Sequence, residues 1–262
     1  MQRFLSMIVL ALLLVLAACD SGTGNEATGF DGVITWDRDP QTVVFRANTF
    51  GGNTDSPFLA RNDIPLCTIY GDNRIVWTND LGDFNLQVLW DQLSDQQVQN
   101  FISYVTVIER IYTFDARADQ QLPSEIAPAY ETLSVAVNGR LHSTDSFGEW
   151  EPEYFQRIVN TCKDISDSPV IYEPQGGWLT AQSVEYDSNR PSILWEGEAA
   201  GLRFSELASS GEPSWITGSN LVILWNLIHT SSPIIQFVEG ENAYELVLEV
   251  PGVNPTAPAA PS

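Results

Sequence analysis

The amino-acid sequence predicts an α+β fold, with a mainly antiparallel sheet and two or three packed helices. Tight-turn signals at 71–73 and at Asn138-Gly139 lie between runs of apolar and β-branched residues, a pattern typical of β-hairpins. Two other segments repeat apolar residues with the period of an amphipathic helix. Because strands and helices do not alternate strictly, the pattern favours α+β over a parallel α/β sheet.

The predicted strands follow from β-branched, aromatic and alternating apolar residues. The turn at 71–73 joins strands 66–70 and 74–78, and Asn138-Gly139 joins 131–137 to 140–144. Strands are also expected at 42–50, 178–184, 192–195 and 243–250.

The predicted helices have recognisable starts. Ser94-Asp-Gln-Gln97 has the pattern of a capping box, and apolar residues with helical spacing continue to about Tyr112. Pro152 suits the first position of a second helix, whose apolar residues run to Cys162. Residues 219–230 are ambiguous, and Ser219 as a cap favours a helix there.

The first 18 residues are typical of an export signal. Arg3 is followed by the apolar run Phe4 to Ala18, which only Ser6 interrupts. At about 1.5 Å per residue such a helix spans roughly 22 Å, less than the roughly 30 Å of a hydrocarbon core. The segment therefore predicts a cleaved secretory signal peptide rather than a membrane span.

Leu16-Ala-Ala-Cys19 resembles the lipobox of bacterial lipoproteins. The resemblance implies that the Cys19 thiol carries diacylglycerol, that cleavage precedes it, and that the new amine is acylated, with palmitate as a typical chain. Several acyl chains hold a protein durably on a membrane. We therefore expect an anchor at Cys19, a flexible tether over 19–30, and a location on the extracytoplasmic face of the cell membrane. A plain signal peptide with an incidental cysteine is the alternative.

Gly51-Gly52 and the segment Ile64-Pro-Leu-Cys-Thr-Ile-Tyr-Gly-Asp-Asn-Arg-Ile-Val-Trp77 are similar to a group of uncharacterised bacterial lipoproteins. That group carries a Gly-Gly and a Pro-x-x-Thr-x-Tyr-Gly-Asp-Gly-Arg-type hairpin after a lipobox. Asn73 stands where the group has the turn glycine, and asparagine tolerates the left-handed conformation that such a turn requires. The resemblance supports an envelope location and implies no known activity.

The mature chain is expected to contain an α+β lobe over 31–170 and a β-rich lobe over 171–251, which can also belong to one domain. The boundary is expected within 166–177, where Ser, Asp, Pro and Gly are frequent. Residues 252–262 contain several prolines and small residues and predict an exposed tail.

The charge excludes a nucleic-acid partner. The chain has 34 acidic and 12 basic residues, a net charge of −22, whereas phosphate backbones require clustered Lys and Arg. Lys163 is its single lysine, which also excludes a polybasic membrane patch.

Motifs for catalysis, metals and cofactors are missing from the sequence. His142 and His229 stand alone without the ligand spacing of a zinc site, and no EF-hand pattern is present. No nucleophile elbow, phosphate-binding loop or dinucleotide fingerprint occurs. We therefore expect no cofactor and no metal. A close pair of carboxylates is inevitable among 34 acids, so such pairs do not discriminate between functions.

Tryptophan and cysteine carry the remaining signals. Of eight tryptophans, most are expected in the core, while Trp178 and Trp215 occupy loop-edge positions and are candidates for stacking on a ligand.

With Cys19 lipidated, Cys67 and Cys162 form an even pair in an oxidising compartment and predict a disulfide. Two separately buried thiols are the alternative.

These features together predict a lipid-anchored, non-catalytic binding or interaction module of the cell envelope. Its partner is expected to be the membrane, through the anchor, together with an unidentified envelope protein or glycan. Two alternatives remain: an extracytoplasmic hydrolase that uses paired carboxylates, and a structural or assembly accessory protein.

Overall fold

The structure is a computed structural model that describes residues 34–50, 56–118 and 129–261. The predicted signal peptide, Cys19 and the tether over 19–30 lie outside the described residues, as do Gly51 and Gly52.

Seven strands form the first sheet. They are β1 (Val43–Phe50), β2 (Cys67–Tyr70), β3 (Arg74–Asp80), β4 (Leu86–Gln92), β5 (Tyr130–Val137), β6 (Arg140–Asp145) and β7 (Val170–Ile171). Their order is β6-β5-β1-β2-β3-β4-β7, and neighbouring strands are antiparallel. The two predicted hairpins are β2–β3 and β5–β6. Their turns place Asn73, Asn138 and Gly139 at φ values of 68°, 52° and 70°, which asparagine and glycine adopt at low cost.

Two helices, α1 (Asp95–Ser103) and α2 (Tyr154–Asp164), cover one face of this sheet. The predicted capping box starts α1, because the Ser94 side chain and the Gln97 side chain each accept a hydrogen bond from the other's backbone N–H. Phe101 of α1 and Ile158 of α2 pack with Phe45 and Ile75 in the first core. Burial of each such side chain contributes roughly 1.5–3 kcal/mol.

The end of α1 differs from the sequence prediction. A π-helical turn over Tyr104–Ile108 follows the helix, and Arg110 has a left-handed φ of 54°. The helix therefore stops well before Tyr112, although the apolar spacing continues.

Five strands form the second sheet: β8 (Gly177–Val184), β9 (Ser192–Leu194), β10 (Ser214–Ile216), β11 (Gln236–Glu239) and β12 (Asn242–Glu249). The order is β10-β8-β12-β11-β9, and only β9 and β11 pair in parallel within this sheet. Helices α3 (Gly197–Ala200), α4 (Phe204–Ser210) and α5 (Gly218–His229) accompany it. The last of these is the helix expected at 219–230. Two mainly antiparallel sheets with packed helices confirm the α+β class.

A second core joins the two sheets. It contains side chains from the other face of the first sheet, from the second sheet and from its helices, among them Tyr70, Val76, Val88, Leu179, Phe204, Trp225, Leu246 and Leu248. The chain passes from the first sheet to the second between Ile171 and Gly177, within the expected boundary segment. The described residues from Ile34 onward nevertheless form one compact unit.

The first residues of the C-terminal segment pack against the rest of the fold. Val253 and Asn254 are buried, and the Asn254 side-chain amide donates to the carbonyls of Arg61 and Asn62 at 3.2 and 3.1 Å. The expectation of an exposed tail from residue 252 is therefore wrong for these first residues, because a buried asparagine ties them to the turn at 59–62. Exposure begins at Pro255.

Candidate functional site

A disulfide links Cys67 and Cys162, as the sequence predicts, with Cα atoms 6.4 Å apart. Cys67 lies on β2 with its side chain in the first core, and Cys162 lies on the apolar face of α2 in the same core. The bond therefore joins the helix directly to the sheet face that it covers.

Lys163, the residue after Cys162, makes a second link between this helix and the sheet. Its Nζ donates to the backbone carbonyl of Thr78 on β3 at 2.7 Å. Partial burial lowers the pKa of the Lys163 ammonium below its usual value, because burial disfavours the charged form.

The stacking candidates Trp178 and Trp215 are neighbours on β8 and β10. Their ring centroids are 5.2 Å apart in an edge-to-face arrangement, and both side chains are half-buried. The Trp178 indole N–H donates to the carbonyl of Ala259 at 3.1 Å, and Trp215 packs on Gly176, where an added Cβ would clash with the ring. The structure thus brings the two indoles together, and stacking on a ligand stays a prediction.

A cavity of about 820 Å³ opens between parts of the two sheets. Its wall comes from four places. They are the strand ends of the first sheet around Asn48 and Leu86, the segment 56–66, the β8–β9 connection with Asp187 and Arg190, and the second-sheet region at 228–237 with Glu245. The apolar part of the lining includes Leu59, Ile64, Leu66, Ile235, Phe237 and Leu246.

The segment 56–66 is fixed on β12 by polar contacts. Arg61 forms an ion pair with Glu249, whose side chain is buried. Asn62 makes two more bonds, since its side-chain amide donates to the Leu246 carbonyl at 2.9 Å and its Oδ1 accepts from the Leu248 N–H at 2.9 Å. This side of the cavity is therefore held rigidly against the second sheet.

Charged groups line the cavity beside the apolar residues. Arg190 and Glu245 form an ion pair of 2.8 Å, in which both side chains are largely buried. The Arg190 Nε donates to the Ile234 carbonyl at 2.8 Å, and Ser56 Oγ lies 3.4 Å from the other Glu245 oxygen. Asp63 also lines the cavity, and desolvation raises the pKa of its carboxyl group.

His229, at the end of α5, lies in the inner wall of the cavity and is buried. Its Nδ1 is 2.7 Å from the Trp225 carbonyl, which makes Nδ1 the donor, and its Nε2 has no hydrogen-bond partner among the described residues. Burial lowers the pKa of His229 to about 4, so the imidazole is neutral at pH 7.

Phe84 lies at the cavity rim, in a turn whose backbone has left-handed φ values. In the β3–β4 turn Gly82, Asp83 and Phe84 have φ values of 81°, 49° and 62°, and Phe84 lines the cavity while remaining 63% exposed. Left-handed conformations in non-glycine residues cost free energy and are concentrated at functional sites.

The cavity residues could not be found from motifs. Asp63, Arg190 and Glu245 come from three distant segments, so no spacing rule links them. The available signal was the pattern of 243–250, where Glu245 and Glu249 interrupt an apolar strand. A charged residue in such a strand indicates a buried ion pair, and both glutamates do pair with an arginine.

Across 34–50, 56–118 and 129–261, no group of three His, Cys, Asp or Glu side chains is arranged to hold a metal ion. His142 is half-buried, and its Nε2 lies 3.0 and 2.9 Å from the carbonyls of Ile111 and Phe114. Within the same ranges no helix has the length and apolar character needed to cross a bilayer.

Comparison with known proteins finds no match, whether with family models, curated proteins or solved structures.

Proposed function

We propose that the chain is a lipid-anchored protein of the extracytoplasmic face of the cell membrane, and that it binds a ligand in the cavity between its sheets. The lipobox-like segment ending at Cys19 supports the anchor. The Cys67–Cys162 disulfide is consistent with an exported, oxidising location.

The cavity is the observation that carries the binding proposal. Ligand sites are typically clefts of about 300–1,000 Å³ with mainly apolar walls and a few fixed polar groups, and a volume of about 820 Å³ falls within that range. The Arg190–Glu245 pair supplies the fixed polar groups. Phe84, held exposed at the rim, supplies an apolar surface that a ligand would cover.

Filling the cavity is expected to abolish the binding of an apolar probe. Ser232 is a small, half-buried residue in the cavity wall, and Ser232→Trp places an indole in that space. The probe is N-phenyl-1-naphthylamine, whose fluorescence rises in apolar surroundings, titrated into the chain from Asp20 onward without detergent. We expect saturable binding by the wild type and affinity reduced by about tenfold or more in the variant, a change of about 1.4 kcal/mol.

The matched control is Ser209→Trp, an exposed serine on α4 outside the cavity. This variant should bind the probe as the wild type does. Equal affinity in Ser232→Trp, with an unchanged circular dichroism spectrum, would show that the cavity is not the binding site.

The anchor is tested at Cys19. Expressed in a bacterium that processes lipoproteins, the wild-type chain should partition into detergent, and its N-terminal peptide should carry the added mass of the acyl groups. Cys19→Ser should yield no such peptide, because the acceptor thiol is removed. A mature wild-type protein with an unmodified Cys19 contradicts the anchor.

One observation favours a second candidate function, the hydrolysis of envelope polymers. Among the four carboxyl groups that line the cavity, that of Asp63 has a pKa raised by desolvation, and that of Glu245 is ion-paired with Arg190. Glycosidases pair a carboxylic acid with a second carboxylate held in a different environment. Under this candidate function Asp63→Asn should abolish the release of reducing sugars from isolated cell-wall polysaccharide. Asp187→Asn, at another cavity carboxylate, is the control. A wild-type chain that releases no sugar rejects the candidate.

A further inference from the structure

Two arginines flank one buried tyrosine on the face of the first sheet that meets the second core. Tyr70 ends β2 and is 3% exposed, with the guanidinium carbon of Arg74 lying 4.5 Å from its ring centroid. Arg46, on the neighbouring strand β1, lies opposite Thr68, which precedes Tyr70 by two residues. Burial raises the pKa of Tyr70, whereas the two positive charges act in the opposite direction.

Neither guanidinium has an acidic partner. Arg38, Arg61, Arg157 and Arg190 each pair with a carboxylate, but no carboxylate of the described residues forms an ion pair with Arg46 or Arg74. Asp72, two residues before Arg74, accepts from the Arg74 backbone N–H at 3.1 Å instead. The Arg74 guanidinium donates through Nη2 to the neutral carbonyl of Pro40 at 3.3 Å. Acidic residues are plentiful, since the chain has 34 of them. The missing ion pairs of Arg46 and Arg74 therefore do not reflect a shortage of acids.

Polar atoms around Tyr70 are also left without partners. The Nε atoms of Arg46 and Arg74 and the hydroxyl of Thr68 are buried and make no hydrogen bond to the described residues. Thr68 faces Arg46 across the β1–β2 pair and precedes Tyr70 by two residues, so these side chains share one face of the sheet. Buried donors without acceptors and adjacent like charges both cost free energy, and a bound anion removes both costs.

We propose that Arg46, Thr68, Tyr70 and Arg74 form a binding site for an oxyanion, that is, a phosphate, sulfate or carboxylate group. Guanidinium groups present planar N–H donors that match two oxygens of such a group, and the hydroxyls of Thr68 and Tyr70 supply further donors. Arg46 and Arg74 are only partly buried, so both side chains keep some contact with solvent. The site is separate from the cavity, since none of its four residues lines it.

The test measures anion-dependent stability of the full mature chain in a non-ionic detergent. The thermal midpoint is followed by tryptophan fluorescence while sodium phosphate, sulfate or acetate replaces sodium chloride at constant ionic strength. We expect a saturable rise with at least one of these anions, because only the folded chain holds the site. A rise with phosphate and sulfate alone identifies a tetrahedral oxyanion as the ligand, and a rise with acetate alone identifies a carboxylate.

Variants separate specific binding from a general salt effect. Arg46→Gln and Arg74→Gln should each raise the half-saturating anion concentration by about tenfold or more, since a charge-assisted bond is lost. Arg140→Gln removes an exposed arginine that also has no ion pair among the described residues and should leave the concentration unchanged. If a glutamine variant fails to fold, Arg46→Lys and Tyr70→Phe take its place. They keep most of the local packing and should also raise the half-saturating anion concentration. No saturable rise with any of the three anions, or the same half-saturating concentration in the folded Arg46 and Arg74 variants, overturns the proposal.

Discussion

Replacement of both disulfide cysteines, in Cys67→Ala/Cys162→Ala, is expected to lower the free energy of unfolding, and loss of the cross-link accounts for up to about 4.7 kcal/mol of that change. The bond closes a loop between residues separated by 95 positions, and in the chain-entropy model such a loop strongly restricts the unfolded state. Both cysteines are also fully buried in the first core, so alanine removes some packing as well. Urea unfolding of the mature chain, followed by tryptophan fluorescence, measures the difference.

The wild type in the presence of a reductant is the matched control for this double variant. Reduction breaks the same bond without changing the side-chain volume, so most of the loss should appear there too. Before reduction, both thiols should resist alkylation in the denatured chain. Free alkylation at both positions would show that the bond does not form in the cell.

Acidification is expected to destabilise the chain through His229 by about 3 kcal/mol between pH 6.5 and pH 4. The folded chain lowers the pKa of His229 to about 4, from an ordinary value of 6.5. Between these values the unfolded chain binds a proton that the folded chain does not, and stability therefore falls as the pH falls. The contribution of His229 to the free energy of unfolding is therefore complete above pH 6.5 and is lost by about pH 4.

The measurement is the free energy of urea unfolding as a function of pH, for the wild type and for His229→Phe. The variant loses the bond to Trp225 at every pH. Between pH 6.5 and pH 4, however, its free energy of unfolding should fall less steeply with falling pH, because the His229 contribution is absent. Identical slopes in wild type and His229→Phe would mean that His229 is not the group responsible.

Local signals account for the parts of the fold that the sequence predicts. Asn73 and Asn138-Gly139 determine their turns through backbone conformation alone, and the Ser94–Gln97 capping box needs only four consecutive residues. The strand β4 shows where such signals fail. Leu86, Leu89, Trp90 and Leu93 have helical spacing, yet Leu86–Gln92 is a strand, because pairing with β3 and β7 outweighs the local pattern.

The candidate site depends on long-range contacts that no local pattern contains. Asp63, Arg190 and Glu245 line one cavity only because β12 pairs with β8 and the segment 56–66 docks on β12. Arg46 and Arg74 likewise look like ordinary surface arginines in the sequence, and only the β1–β2–β3 register brings them to Tyr70. The cysteine pair was predictable for a different reason, since assigning Cys19 to the predicted lipobox leaves Cys67 and Cys162 as each other's one possible partner.

The bond between Lys163 and the Thr78 carbonyl has a practical consequence for labelling. Lys163 is the single lysine of the chain, so an amine-reactive dye has one side-chain attachment point. Its lowered pKa increases the fraction of uncharged nucleophile, but the amine reacts freely only after it leaves the Thr78 carbonyl. The rate of dye incorporation at Lys163 therefore reports how often the end of α2 separates from β3.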